Sequence, residues 1–346
     1  MRVVAAMSGG VDSSVVAALL LEQGHEVIGV HMKLHDVEEG EAGHCCGLDD
    51  AMDARMVADT LGIPFYVMDL REAFKKAVMA DFAESYRAGR TPNPCIKCNG
   101  VLKFRVLLQR ARALGASHLA TGHYAKVTPE GRLFRAVDHK KDQTYFLFPA
   151  TKKAFSQTLF PLGGMTKAEV RAHAERFGLV TSSKPESQEV CFIPDDDHTR
   201  FVKEYFDEID GAGDIVDEDG QVLGQHDGYF RYTIGQRRGL GVAAGYPIYV
   251  LKINAATRQV VVGPADKLIE QGLVASGMNW FRKPEEGESV CVRIRHNGGL
   301  IPATFSGDDP IQVNFEAPAR AIAPGQGVVL YAGDEVLGGG WIERAL

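Results

Sequence analysis

The stretch "RVVAAMSGGVDSSVVAALLLEQG", residues 2–24, decides the fold class. Its first residues form a short apolar run that is typical of a buried strand, and the residues from 11 onward show a helical pattern that ends at Gly24. A loop with two adjacent glycines joins the two. A strand that passes through a glycine-rich turn into a helix begins a strand–helix–strand unit, so this stretch predicts an α/β protein.

The same alternation continues through the first third of the chain. The runs "HEVIGVHM", "IPFYVMDL" and "SHLATG" predict strands, and "LDDAMDARMVADTLG" and "REAFKKAVMADFAESYRAG" predict helices. Repeated alternation predicts a doubly wound parallel sheet with helices on both faces. Apolar side chains are predicted on one face of the first of these helices at Met52, Met56, Val57 and Leu61, and on one face of the second at Phe74, Val78, Phe82 and Tyr86.

The pattern changes after about residue 200 to short strands separated by turn residues. "GDIVDEDGQVLGQ" and "YPIYVLKINAATRQVVVG" predict two hairpins, and the runs after residue 290 predict a β-barrel. The predicted domains are therefore an α/β domain over residues 1–200, a small central domain over 201–270 and a barrel over 271–346.

Composition narrows the class of protein. The 346 residues carry a formal net charge of -7, which argues against a uniformly basic nucleic-acid-coating protein but leaves room for a local basic surface. No apolar run approaches the roughly 18 residues of a membrane span, and the N-terminal stretch does not resemble a signal peptide. We therefore expect a cytoplasmic protein with no membrane partner. In such a compartment, closely spaced cysteines favour metal binding or catalysis over disulfides.

The loop "MSGGVDSS" predicts an anion cradle. Gly9 and Gly10 let backbone N–H groups approach an anion closely, the serines add hydroxyl donors, and the following helix points its positive end at the same place. A capped tight turn is the alternative. The loop lacks the lysine of a Walker A motif. The residues of this predicted phosphate loop are Met7, Ser8, Gly9, Gly10, Val11, Asp12, Ser13 and Ser14.

The hexapeptide Ser-Gly-Gly-x-Asp-Ser resembles the pyrophosphate loop of the ATP pyrophosphatase superfamily. The resemblance implies that ATP and Mg²⁺ are bound, that ATP is split between its α- and β-phosphates, and that an oxygen is adenylated. It also implies that Asp12 helps to position Mg²⁺. Met32, at the end of the second strand, is expected near the adenosine, with a core methionine as the alternative.

The stretch "TPNPCIKCNG", residues 91–100, places two cysteines three positions apart. On the residues alone they could be metal ligands, a redox pair or a nucleophile with a helper. Pro92 and Pro94 predict a restricted loop, and Asn99 is predicted to cap the helix that follows. That helix would lower the pKa of Cys98 if its N-terminus lay beside the thiol.

Six motifs together resemble the bacterial tRNA-specific 2-thiouridylases. They are "GRTPNPCIKCN", "ATGHYAK", "KDQTYFL", "SQEVCFI", "YTIGQRRGLG" and "LGGGWIE", in that family's order and approximate spacing. The resemblance implies an adenylating N-terminal domain, a small central domain and a C-terminal β-barrel. It also implies replacement of the C2 oxygen of a wobble uridine by sulfur. The implied partners are tRNA and a sulfur source, either a cysteine desulfurase or sulfur-relay protein or inorganic sulfide.

The resemblance assigns roles by motif. Cys98 matches the catalytic cysteine, and Cys191, 93 positions further on, matches the cysteine that receives sulfur as a persulfide. Gly122 matches an ATP contact. The target-base segment is Asn93, Pro94 and Cys95, and the tRNA contacts are His123, Lys141, Asp142, Gln143, Arg295, His296 and Gln326.

This chain departs from the family's usual pattern at Cys95, where relatives carry Asp as a plausible general base. Three thiolates, from Cys95, Cys98 and Cys191, predict a [4Fe–4S] cluster with one open iron that could hold sulfide. A persulfide mechanism with a Cys98–Cys191 disulfide on turnover is the alternative. We expect Cys45 and Cys46 to be structural or incidental and Cys291 to pack in the barrel.

Two other functions stay open at the level of sequence. An amide-forming or lysidine-type synthetase would use the same phosphate loop and need no cysteine. A redox-responsive tRNA-binding protein would bind tRNA without releasing pyrophosphate. For tRNA binding at this net charge, basic side chains must be segregated, and one face is predicted to include Lys103, Arg105, Lys141, Arg237, Arg238 and Arg295.

Overall fold

A computed structural model describes residues 1–36, 48–185, 190–193, 195, 197–207, 209–285 and 287–346. Cys45 and Cys46 lie outside the described residues. None of the helices in the described part combines the length and apolar character needed to cross a bilayer.

The secondary structure follows the predicted order of elements. The helices are α1 (Val11–Glu22), α2 (Leu48–Leu61), α3 (Arg71–Phe74), α4 (Ala80–Arg87), α5 (Pro94–Lys97), α6 (Leu108–Ala113), α7 (Lys152–Phe155), α8 (Lys167–Arg176) and α9 (His198–Tyr205). Segments of π-helix, Lys75–Met79 and Cys98–Leu107, join α3 to α4 and α5 to α6. Short 3₁₀ turns lie at Thr144–Phe146, Pro161–Gly164, Tyr229–Arg231 and Ala265–Leu268.

The strands divide among three sheets. They are β1 (Arg2–Ala6), β2 (Glu26–Lys33), β3 (Phe65–Asp69), β4 (His118–Ala120), β5 (Ala125–Val127), β6 (Leu133–Arg135), β7 (Thr158–Leu159), β8 (Gly213–Val216), β9 (Val222–His226), β10 (Tyr249–Asn254), β11 (Gln259–Gly263), β12 (Ile269–Trp280), β13 (Val290–Arg293), β14 (Ile301–Ser306), β15 (Ile311–Arg320), β16 (Gly327–Ala332) and β17 (Glu335–Ala345).

The N-terminal sheet is parallel, with strand order β3-β2-β1-β4-β7. Side chains on β1 alternate between its faces: Val3 and Ala5 pack in the core that includes α1, α2 and α8, whereas Val4 packs with the helix over residues 94–113. The predicted doubly wound sheet with helices on both faces is therefore confirmed. Strand order reverses between β1 and β4, and open sheets of this kind bind ligands at the carboxyl ends of the strands beside such a reversal.

The two predicted apolar faces, one on the helix after β3 and one on α2, differ in how well they agree with the structure. Phe74, Val78, Phe82 and Tyr86 are all buried, as expected. On α2, Val57 is buried and Leu61 packs against the core, as predicted, whereas Met52 and Met56 are exposed, so the predicted face is wrong at the two methionines. The buried face of α2 instead passes through Ala54, Val57 and Ala58. Consecutive helical residues point about 100° apart, so Met56 lies to one side of the face that Val57 occupies.

The C-terminal sheets confirm the predicted change of architecture. The hairpins β8–β9 and β10–β11 form one central sheet. Six strands, β12-β15-β14-β13-β16-β17, close into a barrel through pairing of β12 with β17. The sequence did not predict that β5 and β6, from the N-terminal part of the chain, would extend the barrel sheet through β17, where Phe134 lies opposite Glu335.

A buried ion pair joins the α/β part of the chain to the barrel. The Arg293 guanidinium donates to Asp142 Oδ2 at 2.8 Å, and both side chains are almost fully excluded from solvent. The same carboxylate accepts from Thr144 Oγ1 and from the backbone N–H of Ala136. The Asp142 side-chain oxygens are engaged inside the protein, so the predicted tRNA contact of this residue stays a prediction that would fall to its backbone atoms.

We predict that Asp142→Asn lowers the free energy of unfolding by about 3–5 kcal/mol, because it leaves the Arg293 charge buried without its counter-ion. Chemical denaturation followed by fluorescence measures this. Asp308→Asn is the matched control: Asp308 pairs with Lys283 at the surface and should change stability by less than about 1 kcal/mol. Equal stability of the two variants would contradict the prediction.

Candidate active site

The phosphate loop between β1 and α1 has a geometry that requires glycine. Gly9 has a φ of +80°, and a Cβ at this position would collide with the backbone carbonyl of Asp50. The Gly10 carbonyl accepts from Ser13 Oγ at 3.0 Å and from Ser14 Oγ at 2.9 Å. These bonds curl the loop around the N-terminus of α1, as an anion cradle requires.

The predicted ATP contacts in the loop divide into two groups. Met7 and Val11 are buried and pack in the core beneath the loop, so only their backbone atoms can face a ligand. Ser8 is exposed, and its Oγ lies 3.2 Å from Ser13 Oγ. From β2, His31 Nδ1 lies 2.9 Å from the Met7 carbonyl oxygen, and burial lowers the pKa of His31. His31 thus supports the loop from below, a role that the sequence did not indicate.

Asp12 is held by two residues from distant parts of the chain. The Lys167 ammonium lies 2.7 and 2.9 Å from the two Asp12 carboxylate oxygens, and the Tyr124 hydroxyl donates to Oδ1 at 2.9 Å. Lys167 is the first residue of α8, and it brings an ammonium group to a loop whose own sequence lacks lysine. Sequence reasoning missed it. The available signal was a cation at a helix N-terminus, where the helix dipole disfavours positive charge.

The end of β4 lies directly against the phosphate loop. A Cβ on Gly122 would lie 3.0 Å from Ser13 N and 3.2 Å from Asp12 Cβ, so a side chain here would push the two segments apart. The predicted ATP contact Gly122 is therefore at the loop. Met32, at the end of β2, is half-buried and packs against two hydrophobic cores, which agrees with the alternative of a core methionine.

The cysteine stretch is helical, and the prediction of a loop there is wrong. Asn93 Oδ1 accepts from the Ile96 N–H at 3.4 Å and caps a continuous helix over residues 94–113, called the cysteine helix below. Pro94 occupies the first helical position, where its missing N–H costs nothing. Asn99, predicted to be the cap, is instead buried in the helix and donates to the Phe146 carbonyl.

The two cysteines of this helix lie in different environments. Cys95 is in the first turn and exposed, whereas Cys98 is in the second turn and buried. Burial raises the pKa of the Cys98 thiol, and the positive charge of Lys103 opposes that shift. The predicted lowering by a helix N-terminus is therefore wrong, because the helix begins four residues before Cys98.

Cys191 lies in the same hydrophobic cluster as Cys98. Its half-buried side chain packs against this cluster, which includes Leu102 and Phe192. The fold thus brings two cysteines that are 93 positions apart into one apolar region. Cys291 is half-buried on β13, in the barrel, as predicted.

The three cysteines do not form the predicted cluster site in this structure. Among the described residues, no group of three or more His, Cys, Asp or Glu side chains is arranged to hold a metal ion. Cys95 is exposed, Cys98 is buried and Cys191 is half-buried. The [4Fe–4S] cluster therefore stays a prediction, beside the persulfide alternative.

His123 is a buried link between two segments of the site. Its Nδ1 lies 2.7 Å from Thr121 Oγ1, and its Nε2 lies 3.5 Å from the Lys103 ammonium. Burial holds the pKa of His123 well below its usual value, so the ring is neutral. An ammonium can only donate, so Nε2 accepts and Nδ1 carries the proton. The predicted contact of His123 with tRNA stays a prediction.

The remaining predicted tRNA contacts stay predictions. Lys141 is half-buried and Arg295 is exposed, so both can reach a ligand. Gln143 Oε1 accepts from the Tyr124 N–H at 3.0 Å, which braces the residue that holds Asp12. His296 packs against Phe146 with 4.3 Å between ring centroids, and burial lowers its pKa. Gln326 contacts the segment that precedes the cysteine helix.

Comparison with known proteins agrees with this architecture. Residues 1–195 match the family model described as tRNA methyl transferase HUP domain, residues 199–264 the tRNA methyl transferase PRC-barrel domain, and residues 270–342 the aminomethyltransferase beta-barrel domain. A tRNA-specific 2-thiouridylase MnmA of Geotalea uraniireducens (strain Rf4) is 51% identical over 100% of this chain and 96% of its own length. The protein of the same name from Geobacter metallireducens is 50% identical, over 100% and 97%.

The chain belongs to the tRNA-specific 2-thiouridylase family. It is therefore an enzyme, and its three matched regions give the fold described above: an α/β HUP domain, a PRC-barrel domain and a closed β-barrel. A solved 4-thiouridine synthetase–RNA complex with bound ATP is only distantly similar, at 18% identity and a TM-score of 0.36, and covers 56% of this chain and 45% of that one. That likeness is too weak to carry an argument about the site.

We predict that Lys167→Met reduces pyrophosphate release by about 10²–10³-fold, because a fixed positive charge beside a transferring phosphate stabilises the transition state by that order. The measurement is pyrophosphate release with ATP and substrate tRNA. Lys152→Met is the matched control, since Lys152 is also the first residue of a helix but is exposed. Equal rates in the two variants would show that Lys167 only stabilises the fold around Asp12.

We predict that Lys103→Met raises the pKa of Cys98 further, because it removes the cation that favours the thiolate. Alkylation of Cys98 by iodoacetamide should slow about tenfold near neutral pH, which is one pKa unit, and its pH profile should move upward. Mass spectrometry follows Cys98 and exposed Cys95 in the same sample. Arg105→Met, which removes an exposed charge from the same helix, should leave the profile in place.

Proposed function

We propose that this enzyme uses ATP to adenylate O2 of the wobble uridine of a tRNA and then replaces that oxygen with sulfur from a Cys191 persulfide. The observation that supports this is a continuous path from the phosphate loop to the cysteines. Gly122 lies against Asp12 and Ser13, and the next residue, His123, contacts Lys103 on the cysteine helix. The two halves of the reaction therefore share one site.

The first step forms a bond between uridine O2 and the α-phosphorus of ATP, and the bond from that phosphorus to pyrophosphate breaks. The α1 N-terminus and the Lys167 ammonium lie where they can hold the departing pyrophosphate. Asp12 would hold Mg²⁺ together with the phosphates, since Mg²⁺ binds through one or two carboxylates and substrate oxygens. The ion would neutralise charge that develops during the transfer.

In the second step the terminal sulfur of the Cys191 persulfide attacks C2, and AMP leaves with the former O2. The Cys98 thiolate then attacks Cys191 Sγ. A Cys98–Cys191 disulfide forms, and the terminal sulfur stays on C2 as the thiocarbonyl. A dithiol reductant must restore the two thiols before another turnover. The sulfur enters the persulfide from a cysteine desulfurase, a sulfur-relay protein or sulfide with an oxidant.

Cys95 matches the position at which the family resemblance implies an Asp, so this chain has no carboxylate side chain there. We propose that Lys103 compensates by stabilising the Cys98 thiolate electrostatically. Its ammonium is held beside the site by His123, whose neutral ring accepts from it. The exposed Cys95 lies in the first turn and is the last residue of the segment that the resemblance assigns to the target base.

The amide-forming and lysidine-type alternatives are disfavoured because buried Cys98 and half-buried Cys191 meet in one apolar cluster, and neither chemistry needs a thiol. The redox-responsive tRNA-binding alternative leaves the Asp12–Lys167 arrangement unexplained.

The decisive experiment separates the two half-reactions. We predict that Cys98→Ser and Cys191→Ser each abolish thiolated tRNA, measured by nucleoside mass spectrometry, while pyrophosphate release continues. Cys291→Ser, in the barrel, is the control and should keep full activity. Full thiolation by Cys98→Ser would refute the persulfide route.

The dependence of activity on iron distinguishes the persulfide mechanism from the [4Fe–4S] mechanism. Protein prepared and assayed without iron, with a persulfide donor supplied, should thiolate tRNA at the full rate. Activity that appears only after anaerobic reconstitution with iron and sulfide would overturn the persulfide proposal and restore the cluster.

A further inference from the structure

The barrel loop, residues 324–326, touches the backbone that leads into the cysteine helix. Gln326 Nε2 donates to the carbonyl oxygens of Thr91 at 3.0 Å and Pro92 at 3.2 Å. In the opposite direction, the Thr91 N–H donates to the Pro324 carbonyl at 2.9 Å. Three hydrogen bonds therefore join this loop to the two residues that precede the Asn93 cap.

The barrel loop is itself fixed to strand β17. The Gly325 N–H donates to the Ile342 carbonyl at 2.9 Å, and the Ile342 N–H donates to the Gln326 carbonyl at 2.8 Å. Gly325 has a φ of +91°, and a Cβ there would lie 3.0 Å from the Thr91 carbonyl oxygen. The approach of the two segments thus depends on glycine at this position, and the anchor for Thr91 is a closed barrel.

The hydrogen-bonding capacity of the Gln326 side chain is largely used inside the protein. An amide group has two N–H donors, and both are directed at backbone carbonyls. Its Oε1 accepts from the Tyr145 hydroxyl at 3.3 Å. Two carbonyl partners can only accept, so they fix which end of the amide is nitrogen. A role confined to contact with RNA would not require this arrangement.

A second barrel contact lies on the other side of the cap. Ile96 is fully buried in the first turn of the cysteine helix, and a Cβ on Gly327 would lie 3.1 Å from Ile96 Cδ1. The barrel therefore holds the chain both before and after Asn93. Because the cap and the first turn set the direction of a helix, these contacts also set where Cys95 and Cys98 point.

We infer that Gln326 is a positioning residue that holds the start of the cysteine helix, so that the barrel shapes the sulfur-transfer site even when no RNA is bound. The inference concerns the enzyme without tRNA. Only its effect on turnover rests on the function proposed above.

The test is hydrogen exchange of residues 91–98 in tRNA-free, full-length Gln326→Leu, with the intact enzyme as reference. Loss of the two side-chain bonds should speed exchange at the Thr91 and Ile96 amides about tenfold, the size expected for losing roughly one to two net hydrogen bonds. Gln326→Glu also loses both donors and should match Gln326→Leu. Gln312→Leu, an exposed glutamine of the same barrel, should change nothing.

A second variant tests the same contact from another atom. Gly325→Ala leaves the Gln326 side chain in place but pushes on the Thr91 carbonyl, so it should also speed exchange at Thr91. In Gln326→Leu and in Gly325→Ala, the rate of tRNA thiolation should fall by a larger factor than the affinity for tRNA. Unchanged exchange in the two variants, or a loss of tRNA binding with unchanged exchange, would overturn the inference. If hydrogen exchange is faster in the variants but even the intact enzyme does not thiolate tRNA, the proposed function fails and the positioning role stands.

Discussion

The close approach of Gly122 to the first turn of α1 is the constraint on which the site depends. A Cβ on Gly122 would lie only 3.0 Å from Ser13 N, so the end of β4 can pack this closely against α1 only because residue 122 has no side chain. His123 follows at once and reaches Lys103 on the cysteine helix. A larger residue at 122 would push the end of β4 away from the phosphate loop. In the mechanism proposed above, that shift would separate the adenylation site from the sulfur-transfer site.

Burial of Cys98 has two opposing effects on its reactivity and on its surroundings. An apolar environment disfavours the thiolate, which is the reactive form, and raises the pKa of the thiol. In the mechanism proposed above, the same environment would exclude water, which hydrolyses an adenylated base. A single cation at Lys103 restores part of the lost nucleophilicity, and it is oriented by a buried, neutral histidine. In that mechanism, burial protects the adenylated intermediate from water, and the positive charge of Lys103 recovers part of the reactivity of Cys98.

The sequence predicted features that depend on short-range patterns. The phosphate loop, the Phe74–Tyr86 stripe and the barrel strands each follow from spacing within about a dozen residues. What it missed depends on contacts across the chain. Lys167 reaches Asp12 across 155 positions, and Asp142 pairs with Arg293 across 151. No periodicity encodes such pairs. The cysteine helix escapes prediction for a local reason, because Asn93 and Pro94 fit a rigid loop as well as the start of a helix.

The domains are less separate than their sequence boundaries suggest. Strands β5 and β6 belong to the N-terminal part of the chain yet continue the barrel sheet. The buried Asp142 pair lies at this joint, and the barrel loop holds the approach to the cysteines. These contacts hold the barrel against the part of the chain that carries Cys98. In the mechanism proposed above, a base bound by one domain would then meet sulfur from the other, because positioning that is built into the fold lowers the entropy cost of reaching the reactive geometry.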